Sequence, residues 1–100
     1  MNFQLPWFVQ ELAGIDPVLY HTVKETAELV MKPGALDSKT KLLIALALDA
    51  FKGSGPGVKA LAQQVREQGA SDEEIQETLR IVYLISTMDC LRAGGQAFSK

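Results

Sequence analysis

The sequence predicts an all-α protein of five or six helices, and three observations carry that prediction. Apolar residues recur at spacings of three and four between clear chain breakers. Two helix starts are written in residue chemistry, at Asp16-Pro17 and at Ser71-x-x-Glu74. No stretch alternates polar and apolar residues as a half-buried strand does.

The elements follow in order. Pro6 suits the first position of a short helix that ends near Gly14. Asp16 is a helix N-cap and Pro17 the residue after it, opening a helix that runs to about Met31. Its apolar face is Leu19, Val23, Ala27 and Val30, and Lys32-Pro33-Gly34 stops it. Asp37 can cap a third helix from Ser38 to about Lys52, with Gly53 beyond its end. Ser54-Gly55-Pro56-Gly57 is expected to be a turn. A fourth helix then carries Val58, Leu61, Ala62 and Val65 and ends at Gln68-Gly69. Ser71 and Glu74 form the capping box of a fifth helix through Ile75, Leu79 and Val82. Ser86-Thr87 marks a break or kink before a last helix with Met88, Leu91 and Phe98. Connections this short favour antiparallel neighbours.

One hundred residues make a single domain, spanning 1–100. A net charge of −2 with no Lys/Arg cluster argues against a nucleic-acid partner. The longest apolar run, Leu42 to Leu48, is far short of the roughly 20 residues a spanning helix needs. The first residues lack the basic start and cleavage motif of a signal peptide. A cytoplasmic protein without membrane attachment is expected. One Cys cannot supply a CxxC pair or a multi-Cys zinc site, one His argues against His-based metal sites and triads, and no cofactor is expected.

The composition is nevertheless unusually apolar. Hydrophobic residues make up 47%, with eight glycines besides, where about 45–50% is usual with glycine included. Small chains bury a smaller share of their surface than large ones. The third helix is apolar on every face from Leu42 to Leu48, and the fifth is so from Ile81 to Ile85. A helix apolar all round is buried all round, and a chain this small cannot enclose two. Ala45, Ala47, Ala50, Ala93, Gly94 and Gly95 would let helices approach closely. A homo-oligomer with an extensive apolar interface is expected.

The stretch PGALDSKTKLLIALALDAFKGSGPGVKALAQQVREQGASDEEIQETL resembles the carboxymuconolactone decarboxylase and alkyl hydroperoxidase D-like family. Leu36-Asp37, Lys39, the Leu43-Ile44-Ala45-Leu46-Ala47 run, Gly69-Ala70 and Ser71 to Ile75 carry the resemblance. It implies an alkyl hydroperoxidase D-like helical bundle and a self-assembling protein, a trimer or hexamer. The family's peroxidases use two thiols at a helix start, where the free N–H groups stabilise thiolate. A His and a Glu relay protons to them. The thiol positions fall here on Ser54 and Gly57, the His near Leu61 and the Glu near Leu42, with Lys41 the polar residue that a slip of one position brings in. The resemblance therefore implies the scaffold and argues against CxxC peroxidase or disulfide reductase chemistry. No residue is assigned as catalytic.

The expected function is an oligomeric small-ligand-binding or structural protein of this family. The alternative is a decarboxylase-type lyase acting on a small carboxylated lactone without thiols. A third reading is antioxidant chemistry through Cys90, whose ordinary role is that of a buried small hydrophobe. Candidate ligand-binding residues are Ser54, Gly55 and Gly57, whose turn could dock a small anion on free N–H groups, together with His21, Asp49 and Arg80. Each has a plainer reading. Ser54 to Gly57 is an ordinary helix joint. His21 pairs with Glu25 one turn on. Asp49 is an exposed carboxylate paired with Lys52 or a neighbouring subunit, against the alternative of a buried acid. Arg80, Asp89 and Arg92 form ion pairs. Trp7, Phe8 and Phe3 pack on the bundle or on a neighbour.

Overall fold

The computed structural model describes residues 3–100. Among them are five α-helices and no strand: α1 (Trp7–Ile15), α2 (Pro17–Met31), α3 (Ser38–Lys52), α4 (Gly55–Glu67) and α5 (Asp72–Gly95). A single 3-10 turn, Gln96–Phe98, follows α5. The chain forms two compact units, one ending at Ser38 and the other running from Lys39 to Lys100.

In the first unit α1 packs on α2, with Asp16 alone between them. The Asp16 N–H donates to the Leu12 carbonyl at 2.7 Å and closes α1. Its Oδ1 accepts the Leu19 N–H at 3.1 Å and opens α2, with Pro17 in the first turn. Helix α1 ends at Ile15, one residue after Gly14 as expected, though Gly14 itself lacks a positive φ. The inward stripe of α2 is Tyr20, Val23 and Ala27, all half-buried, and Met31, which is buried. This corrects the expected face: Leu19 and Val30 are exposed.

In the second unit, Leu42 and Leu46 on α3, Leu61 and Val65 on α4, Ala70, and Ile75 on α5 are the buried apolar residues. Leu42, Leu46 and Val65 expose nothing. The i, i+4 spacing puts each pair on one helix face. Helices α3 and α4 end alike. The Gly53 N–H reaches the Ala50 carbonyl at 3.1 Å and the Ser54 N–H reaches that of Asp49 at 2.9 Å. The Gly69 N–H reaches Arg66 and the Ala70 N–H reaches Val65, both at 3.0 Å. Both are Schellman closures, and they need the left-handed backbone that glycine adopts: φ is 78° at Gly53 and 91° at Gly69.

Two boundaries differ from expectation. Helix α4 begins at Gly55, so Gly55, Pro56 and Gly57 are helical and not a turn. Proline is at ease in a first turn, where its missing N–H costs nothing. Helix α5 continues through Ser86-Thr87. The Ser86 hydroxyl donates to the Tyr83 carbonyl at 3.1 Å and the Thr87 hydroxyl to that of Leu84 at 3.0 Å. Both are satisfied within the preceding turn, so neither breaks the helix.

The expectation that two helices are apolar on every face meets a plain outcome in this chain. Ile44, Leu48 and Phe51 on α3 are exposed, and so are Ile81, Tyr83, Leu84, Ile85 and Leu91 on α5. From Arg80 onward only Val82 and Thr87 are even half-buried.

Candidate functional site

The junction of α3 and α4 gathers three of the candidate residues, and Asp49 is its pivot. Its carbonyl accepts the Ser54 N–H that closes α3. Its carboxylate lies on Gly57: a Cβ added there would collide with Asp49 Oδ2 and stand 2.9 Å from the Ser54 Oγ. Asp49, Ser54 and Gly57 are each half-buried. This replaces the expected partnership of Asp49 with Lys52. The carboxylate sits at the first turn of α4, where backbone N–H groups present positive partial charge. Ser54 is the N-cap of α4 but accepts no bond from it through its side chain. The Gly55 N–H is engaged by the Gly53 carbonyl at 3.1 Å. The chain thus carries its own anion at the spot where an external anion would dock.

The other two positions picked out by the resemblance are core. Leu42 has no exposed surface, and Leu61 has 8%. At the sites where a proton relay would act, the unit has close-packed leucine.

A second constellation joins α3 to the start of α5. Glu74 Oε1 accepts the Ser71 N–H at 2.9 Å, and the Ser71 Oγ accepts the Glu74 N–H at 3.1 Å, completing the capping box. Its other oxygen meets Lys39 Nζ at 2.7 Å. The Lys39 ammonium first, and the Ser71 N–H second, hold the Glu74 carboxyl below its usual range. Beside it, Arg66 at the end of α4 reaches Asp72 Oδ1 through Nε at 3.2 Å and Nη2 at 3.1 Å. Lys39 and Glu74 belong to motifs that carried the family resemblance, and here they meet as a structural tie.

The remaining candidates stand apart. His21 Nε2 lies 2.9 Å from Glu25 Oε1 on the exposed side of α2. Asp89 pairs with Arg92. Arg80 does not follow the ion-pair expectation and lines an open groove with Gln76, Leu79 and Tyr83 on α5. Cys90 is exposed, against the expectation of burial, as is every residue of α5 from Met88 on. Trp7 and Phe8 meet edge to face at 5.7 Å and remain largely exposed. Among the described residues no group of acids, His and Cys gathers to hold a metal, and no helix is long and apolar enough to cross a membrane.

Five helices joined by capped turns, with a lysine-tied capping box, make up a small all-α protein. The chain belongs to the carboxymuconolactone decarboxylase family, whose model matches residues 17–98. It is 34% identical over 68 residues to an uncharacterized protein of Methanocaldococcus jannaschii. That match takes in 68% of this chain and 64% of the relative, so the chain spans less than two thirds of the relative's length. No solved structure gives a significant match.

Proposed function

We propose that this chain is a cytoplasmic, self-assembling member of the family that works by binding a small ligand without thiol chemistry, as a trimer or hexamer. The family match runs across both units, which supports reading the whole chain as one domain. The observation that carries the proposal is the uncovered face of α5. Ile81, Tyr83, Leu84, Ile85 and Leu91 each expose more than half of their surface. Monomeric proteins rarely present contiguous apolar patches beyond a few hundred Å². Copies of the chain covering one another remove that surface from water.

Leucines at positions 42 and 61 support the absence of a thiol relay. The ligand end of the proposal rests on Arg80. Its groove offers a guanidinium beside the Tyr83 ring and the Gln76 amide, a set suited to a carboxylate. Ser54, Gly55 and Gly57 carry less of the proposal, because Asp49 already occupies their neighbourhood. The same Arg80 groove also supports the second reading, a lyase acting on a small carboxylated lactone-like substrate.

Light scattering after size exclusion tests the assembly: a stable monomer near 10.9 kDa at micromolar concentration overturns it. Peroxide consumption tests the chemistry. Thiol-dependent turnover that is lost in Cys90→Ser overturns the non-thiol reading. Turnover of a carboxylated lactone that is lost in Arg80→Gln selects the lyase.

A further inference from the structure

A cleft in the first unit belongs to none of these sites. It holds about 470 Å³, within the range of small-molecule pockets. One side is a single face of α2, on which Lys24, Ala27, Glu28 and Met31 follow helical spacing. The other side is the segment before α1, through Phe3 and Leu5. Met31 is buried, while Ala27, Phe3 and Leu5 are half-buried, so the floor is apolar. Ala27 is what opens the space, since any longer side chain there would enter it. The rim is charged and carries Lys24, Glu28 and Lys32.

We infer that this cleft binds a small amphiphilic carboxylate, with its apolar body on Ala27 and Met31 and its head on the Lys24 ammonium. The Lys24 ammonium at the rim offers a partner to a negative head group. A Lys stem lies along apolar surface while its ammonium reaches the polar edge, which matches a ligand apolar at one end and charged at the other. Among the described residues the floor has no charged group to hold a second ionised end. A dicarboxylate or a phosphorylated sugar therefore fits poorly, because burying its second charge without a partner is costly. The inference does not depend on the assembly or on the Arg80 groove.

Octanoate is the probe, with octan-1-ol and octylammonium as partners of equal chain length and different head. Calorimetric titration of the full chain is expected to show one saturable octanoate site per chain and much weaker binding of the other two. Lys24→Gln is expected to weaken octanoate by about tenfold, the size of one charge-assisted contact, and to leave octan-1-ol unchanged. Ala27→Leu keeps a good helix former and fills the cleft, so it is expected to abolish binding while circular dichroism stays the same. Lys24→Arg retains binding. Three results overturn the inference. One is the absence of saturable octanoate binding. A second is equal binding of octanoate and octan-1-ol. The third is octanoate affinity unmoved by both Lys24→Gln and Ala27→Leu.

Discussion

The Asp49 carboxylate rests against the Cα of Gly57, at the first turn of the helix that follows its own. Glycine inside a helix costs about 1 kcal/mol relative to alanine. Here it makes room for an acid that complements the N–H groups of α4.

That contact sets the outcome of a double-mutant cycle. Gly57→Ala alone forces the carboxylate aside and is expected to destabilise the chain by about 1 kcal/mol. In an Asp49→Ala background the obstruction is gone, and the same change is expected to stabilise by about 0.5–1 kcal/mol through helix propensity. Urea denaturation of the four variants measures the change of sign.

The Lys39–Glu74–Ser71 tie makes stability depend on acid. Because Glu74 is held below its usual range when folded, the folded chain binds fewer protons there than the unfolded one. Stability from this group is present above the ordinary glutamate pKa and is lost as pH falls through the lowered folded value. Lys39→Met removes the main cause, so its urea midpoint is expected to fall less than the wild-type midpoint between pH 6 and pH 3. Ser71→Ala is expected to cost about 1 kcal/mol at neutral pH.

Truncating the second unit's core is expected to be the most damaging change in the chain. Leu46→Ala leaves a cavity that Leu42 and Val65 cannot fill, at about 2.7–5 kcal/mol. Ile44→Ala, on the exposed side of the same helix, is expected to be milder in dilute solution. Thermal melts compare the two.

The uncovered face of α5 links assembly to thiol reactivity. Ile85→Lys places a charge in the apolar patch and is expected to lower the mass seen by light scattering. If copies cover this face, Cys90 reacts slowly with an aromatic disulfide reagent in the wild type and fast in Ile85→Lys. Equal rates and equal masses would sink the assembly.

Local chemistry was legible in the sequence and distant chemistry was not. Asp16-Pro17 and Ser71-x-x-Glu74 state their helix starts because donor and acceptor lie within one turn. Ser86-Thr87 is ambiguous by nature, since a hydroxyl that can break a helix can also bond back within it. The continuous apolar run on either side decides for the helix. Gly55-Pro56-Gly57 reads equally well as a turn or as a first helical turn. Gly57 did carry a signal of close approach, because a glycine inside a helix is otherwise a loss. The Lys39–Glu74 pair had none: its partners are far apart in sequence, and neither residue type is unusual where it stands. The cleft beside α2 was missed for a similar reason. Its α2 residues form a regular face, but Phe3 and Leu5 give no sign that they close the other side.

The burial of Leu42 and Leu61 has a consequence for evolution. A carboxylate at the first and an imidazole at the second would both enter a closely packed apolar interior. Each would cost several kcal/mol, a large part of a small domain's total stability of about 5–15 kcal/mol. Placing a proton relay here would require the surrounding core to be rebuilt in the same step. The packed interior thus acts as a ratchet on these two positions: drift can refine the leucines, but a polar group arrives there only together with changes in the residues around it.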